Sequence, residues 1–126
     1  MGVWKFKDFV SPAGVNQVQK WYDRLSPTVQ ADVDELLETL KKKEKWDDSE
    51  FRARLKGKAG KGLSEIKWKS ERTQYRLIGM FCPGHEYIFL IGCTHKASIY
   101  DPPNAIETAA ERKKDLANGE GSLDDH

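Results

Sequence analysis

The residues best suited to chemistry lie on three neighbouring segments. Glu65, Lys67 and Lys69 recur at every second position in SEIKWKS. Arg76 follows in TQYRLIGM, and His95-Lys96 ends EYIFLIGCTHK. Alternation at period two across residues 63–80 reads as two strands joined by the polar turn Ser70-Glu71-Arg72-Thr73. With those four residues as the loop, Trp68 faces Tyr75, Ile66 faces Leu77, and Lys67 faces Arg76. One side of the hairpin is then aromatic and aliphatic, while the other carries fixed cations with a single Glu beside them. Like charges directly opposed cost a few tenths of a kcal/mol up to about 1. The set therefore suits an anion with several oxygens, above all a phosphate. A solvated sheet face that happens to carry Lys and Arg has the same pattern.

The next strand extends this register. Cys82-Pro83-Gly84-His85 forms the turn, so Cys82 faces Glu86. Strict alternation then sets Arg76 opposite Gly92 and Gln74 opposite Thr94, with Lys96 on the face of Lys67 and Arg76. A glycine across from the arginine leaves room for a ligand. His95 points to the other face unless a bulge intervenes, as a partly buried histidine or as a general acid or base. Cys82, His85, Cys93 and His95 look at first like a zinc set, but Cys93 lies about seven residues down the returning strand. At ~3.4 Å per residue that is roughly 24 Å, too far for a shared metal or a disulfide. Both cysteines read as reduced thiols, and neither metal nor cofactor is expected.

These segments need a frame. The chain has 126 residues and a net charge of +1, with 33% charged and 38% hydrophobic residues. That composition is globular and excludes a bulk nucleic-acid binder. The charge is uneven: residues 51–100 carry a net +7, against −2 before them and −4 after. Such asymmetry favours a local anionic ligand. No apolar run approaches 18 residues, and MGVWKFKDF lacks a signal pattern, which places the protein in the cytoplasm and off the membrane. Met1-Gly2 opens a myristoylation motif that Phe6 breaks, since Ser or Thr belongs there.

Val3 to Phe9 reads as a short edge strand. Ser11-Pro12 and Ser26-Pro27 are cap-plus-proline starts, for helices over residues 12–25 and 27–45. Their stripes of Val15, Val18, Trp21 and Leu25, and of Val29, Val33, Leu37 and Leu40, are core faces. Phe51 to Leu55 reads as a strand with Arg52 and Arg54 on one face. KGKAGKG, holding Lys58 and Lys61, is a basic glycine loop without Walker spacing. Asp101-Pro102 starts a last helix running to Ala117. The expected fold is α+β: an antiparallel β meander, two N-terminal helices packed on one sheet face, and a C-terminal helix. Residues 1–117 form one domain, and 118–126 a disordered acidic tail.

With these elements in order, SEIKWKSERTQYRL and IGCTHKASIYDPPNAIETAAERKKDL resemble the RelE/HigB-type toxins of bacterial type II toxin–antitoxin systems, in their phage-derived subgroup. The likeness covers about residues 25–117. It implies a RelE-like fold and a ribosome-dependent mRNA endonuclease, in which the RNA 2′-hydroxyl attacks and a cyclic phosphate is left, without metal. On the matching motifs it implies Lys67 at the nucleophile or phosphate, Arg76 on the scissile phosphate, and Lys96 as the basic residue after the last strand. Tyr100 falls near an orienting tyrosine, His95 replaces a lysine, and Glu65 serves as a base or balances charge. Arg52, Arg54, Lys58, Lys61, Lys69 and Arg72 would bind RNA. The implied partners are a cognate antitoxin of helix-turn-helix type and mRNA in the decoding site. A gyrase-poisoning relative of the ParE branch and a non-catalytic regulator of the same fold are the alternatives.

Overall fold

A computed structural model describes residues 3–47 and 49–126. Met1-Gly2 and one position of the WDDSEF loop lie outside them. Along the chain run β1 (Lys5–Val10), α1 (Gln17–Asp23), α2 (Pro27–Lys42), β2 (Phe51–Arg52), β3 (Ser64–Ser70), β4 (Thr73–Cys82), β5 (Glu86–Lys96), β6 (Ile99–Asp101), α3 (Ala105–Ala117) and β7 (Ser122–Asp125). The class is α+β, with a mostly antiparallel open sheet ordered β2-β3-β4-β5-β1-β7 and β6 pairing with the far end of β5.

The helices divide between the two faces of the sheet. Val18 of α1 and Val33, Leu37 and Leu40 of α2 bury Ile66, Leu77, Tyr87 and Phe89 on one face. Ala105 and Ala109 of α3 close over Ile78, Ile88, Leu90 and Cys93 on the other. Residues 87–93 are all buried, as a central strand covered on both faces requires.

α2 starts where Ser26-Pro27 directs, with the Val29 amide donating to Ser26 Oγ at 3.3 Å. It ends at Lys42, where the Lys43 amide caps back to the Leu40 carbonyl and two indoles hold the terminus. Trp46 Nε1 donates to the Leu40 carbonyl at 2.9 Å, and Trp4 Nε1 to that of Lys43 at 2.8 Å. α1 begins later than expected. Ser11 spends its hydroxyl on a turn, accepting from the Val15 amide at 3.1 Å. The cap is Asn16, whose side-chain oxygen accepts from the Gln19 amide while its Nδ2 donates to buried Asp8 at 3.0 Å. α3 likewise starts at Ala105, after Asn104 rather than Asp101.

Two expectations fail at the far edge of the sheet. β1 is interior, parallel to β5 and antiparallel to β7. Phe6, Asp8, Phe9 and Val10 are all buried, which an edge lying against solvent would not allow. The acidic tail is ordered as β7, the true edge strand. Lys7 bonds Asp125, the His126 amide donates to the Phe6 carbonyl, and His126 Nδ1 lies 2.7 Å from Asp8 Oδ1. A buried carboxylate needing a partner and a lysine on the strand edge give the acidic segment its seat.

Candidate functional site on the β3–β4–β5 face

The first hairpin register holds: Lys67 pairs with Arg76, Trp68 with Tyr75, and Ile66 with Leu77. The second holds only as far as Gly79. A β-bulge between Ile78 and Gly79 shifts every later pair by one, so Arg76 faces Cys93, Leu77 faces Gly92 and Gln74 faces His95. Gly79 makes the irregularity possible, since a Cβ there would stand 2.2 Å from the Ile88 carbonyl oxygen.

The shift changes the membership of the site. His95 comes onto the face of Arg76, and Lys96, in register with Ile99, turns to the other face and is exposed. The glycine opposite the arginine disappears with it. Gly92 lies on the helix face, where Trp21 fills the space a side chain would take, 2.2 Å from a built Cβ. Its smallness serves packing and leaves no opening for a ligand.

Arg76 is not on a solvated surface either. It is 5% exposed and Glu65 1%. Arg76 Nε lies 3.5 Å from Glu65 Oε2, an ion-pair distance without a hydrogen bond, and Arg52 Nε reaches the same oxygen at 3.5 Å. Tyr100 Oη donates to Glu65 Oε1 at 2.8 Å. Glu65 is thus a buried carboxylate with one hydrogen-bond donor, Tyr100, and two guanidinium charges beside it, the three coming from three strands. The Arg76 fork is occupied by the protein itself. Its Nη1 donates to the Tyr75 carbonyl at 2.9 Å, and its Nη2 donates to Gln74 Oε1 at 2.8 Å and meets His95 Nδ1 at 3.4 Å.

These contacts set the protonation of the neighbours. Burial first, then the charge of Arg76, lowers the His95 pKa. Neutral imidazole accepting at Nδ1 carries its proton on Nε2. Burial, then the bond to Glu65, raises the Tyr100 phenol. Burial pushes the Cys93 thiol up to about 12, so it stays protonated beneath the site.

The remaining cations form a rim. Lys67 is half-buried and Lys69 exposed, and among the described residues neither makes an ion pair. With Ser49, Trp68, Gln74 and Arg76 they line an open hollow of about 210 Å³. Arg72 sits at the β3–β4 turn, and Arg54, Lys58 and Lys61 are exposed in the loop after the two-residue β2. That strand is cut short because Phe51 enters one core and Leu55 the other. Among the described residues no group of three or more His, Cys, Asp or Glu gathers as metal ligands, and no helix is long and apolar enough to cross a membrane.

Gln74 and Cys93 belong to this site, a membership not read from the sequence, where Gln74 is only placed opposite Thr94 and Cys93 is only weighed as a metal or disulfide candidate. Gln74 shares the Arg76 face by alternation within β4, whereas Cys93 follows only once the bulge is known, for which an isolated glycine inside a strand is the sequence signal. The family described as Phage derived protein Gp49-like (DUF891) matches residues 20–114. The chain belongs to the Gp49-like family. This is a phage-derived, toxin-like family of type II toxin–antitoxin systems. The match spans β2 to β6, and with them every Gp49-like residue of the candidate site. No curated protein matches the chain, and no solved structure does.

Proposed function

We propose that this Gp49-like protein is the toxin of a type II toxin–antitoxin module and a metal-independent mRNA endonuclease of the RelE/HigB kind, acting in the cytoplasm on ribosome-bound message. One observation carries the reading: a buried Glu65–Arg76 pair holds Tyr100 and His95 beside a rim of lysines that make no ion pair among the described residues.

That arrangement supports a complete proton path. The 2′-hydroxyl attacks phosphorus and gives its proton to Tyr100 Oη, as the tyrosine proton passes to Glu65 Oε1. Glu65 is too buried to meet RNA, so it acts through the tyrosine. Lys67 and Arg52 neutralise the phosphate, and His95 Nε2–H donates to a non-bridging oxygen. The P–O5′ bond breaks, and the departing 5′-oxygen takes a proton from the Lys67 ammonium. The products are a 2′,3′-cyclic phosphate and a 5′-hydroxyl. Arg76 holds His95 and Gln74 from below, and Lys96 stands outside the chemistry. Lys69, Arg72, Arg54, Lys58 and Lys61 extend the phosphate-binding surface, and the inhibiting partner is a cognate antitoxin of helix-turn-helix type.

Growth is measured on induction, followed by primer extension on a ribosome-bound transcript and end analysis in EDTA with ribosome integrity controlled. Codon-phased cuts with cyclic phosphate ends that survive chelation are expected. Intact mRNA with DNA-damage signalling would replace the reading with a gyrase poison. Intact mRNA without it leaves a binding regulator.

A further inference from the structure

Gln74 is exposed, yet its orientation is fixed from beneath. Arg76 can only donate hydrogen bonds, so the amide oxygen must be the atom that meets Nη2 at 2.8 Å. The carboxamide NH₂ is thereby left as the free end. A free glutamine presents donor and acceptor together, and its bidentate match is adenine. Here the oxygen is turned to Arg76 with one lone pair already taken, while the NH₂ stands beside Lys67 and Lys69 on the hollow, which only donate.

We infer that Gln74, Lys67 and Lys69 form a donor-rich subsite that selects an acceptor-only group of the substrate beside the scissile linkage. A phosphate, through its two non-bridging oxygens, and the O6/N7 edge of guanine each offer two adjacent acceptors and no donor. Adenine N6 and cytosine N4 would set donor against donor. The inference rests on the proposed RNA-cleaving function for its substrate and on the Arg76–Gln74 contact for its geometry.

Gln74→Glu separates substrate recognition from mere support of Arg76. A carboxylate accepts from the guanidinium at least as well as the amide does, but has nothing to donate. Single-turnover cleavage of ribosome-bound mRNA should fall roughly tenfold to a hundredfold in Gln74→Glu, with the melting temperature unchanged or raised. Cleavage by Gln74→Glu at the wild-type rate would overturn the inference and leave Gln74 a positioning residue for Arg76. Substrate changes identify the group. A methylphosphonate at one linkage, or 7-deazaguanine or adenine for one guanine, should slow wild type and leave Gln74→Glu unaffected at the position the subsite reads. If no single replacement narrows the gap between the two proteins, the inference is wrong. Binding keeps the test independent of catalysis. A fluorescent 2′-O-methyl RNA of fixed sequence should bind wild type about tenfold tighter than Gln74→Glu at low salt. Equal binding overturns the subsite, whereas wild-type protein that binds this way but never cuts overturns only the cleavage reading.

Discussion

The two faces of the β3–β4 hairpin reach the same degree of burial by opposite means. Ile66 and Leu77 are 0% and 2% exposed, while on the other face Glu65 and Arg76 are 1% and 5%. The first pair is sealed by apolar contact with α1, α2 and the rings of β5. The second is sealed by mutual charge, with Tyr100 and Arg52 completing the shell of Glu65. An apolar rung can lose a methylene and relax around the gap. A charged rung tolerates both partners or neither, since a lone buried ion has no relaxed state short of neutralisation. The polar face is therefore held to one geometry, which suits groups that must stay aimed.

The sharpest way to break this contrast is Arg76→Ala. With Glu65 left buried beside an empty site, unfolding in urea should show a loss of about 3–5 kcal/mol. Combining Glu65→Leu with Arg76→Met should return stability to within about 1 kcal/mol of wild type, as replaced buried pairs often do. A normal melt for Arg76→Ala would mean that the charged rung is open to water.

Lys67→Ala tests the rim. Single-turnover cleavage should drop about 10²–10³-fold, the scale of one lost transition-state contact, with the melting curve unmoved. Lys96→Ala, on the opposite face, should leave both measurements at wild type. Equal damage from the two lysines would put the shifted register in question.

On the apolar face, Gly92→Ala should cost about 1–3 kcal/mol, because the new methyl meets the Trp21 ring in a filled core. Adding Trp21→Leu to make room should recover part of that loss. Unchanged stability in Gly92→Ala alone would show that Trp21 does not pack as described.

The smallest effect concerns pH. The folded His95 pKa is lowered below its ordinary 6.5, so the unfolded chain binds the extra proton first as pH falls. His95 therefore contributes stability that is complete above about pH 6.5 and lost as the pH drops toward the folded value. His95→Gln should flatten that decline in a series of urea titrations and leave the neutral-pH value alone. A slope identical to wild type would remove His95 from the charged cluster.

How much of this was legible beforehand divides at one residue. The hairpin pairs, the Ser26-Pro27 helix start and the central strand followed from periodicity and capping alone, because local pattern decides them. Past Gly79 the bulge inverted the faces, bringing in His95, sending out Lys96 and moving Gly92 beneath Trp21. The position of that slip is set by tertiary packing of Gly79 against the backbone of β5, which alternation does not encode. The burial of Arg76 escaped for a related reason: its counter-charge, Glu65, and the cover of Tyr100 come from different strands. β7 was missed because an acidic, glycine-flanked segment looks disordered until a buried Asp8 and an exposed lysine edge are there to receive it.

The seating of β7 bears on how the chain acquires its shape. β3, β4 and β5 are joined by short turns and can pair as soon as they exist. β1, made before all three, pairs with β5 and β7, with Lys7 meeting Asp125 118 positions later. Loop closure over such spans is slow, and a strand awaiting partners offers both its edges to other chains. In a nascent chain the meander bearing Glu65, Arg76 and His95 is therefore assembled while β1 still lacks the strand that finally covers its outer edge. Refolding should show that order, with amides of β3–β5 protected from exchange before those of β1.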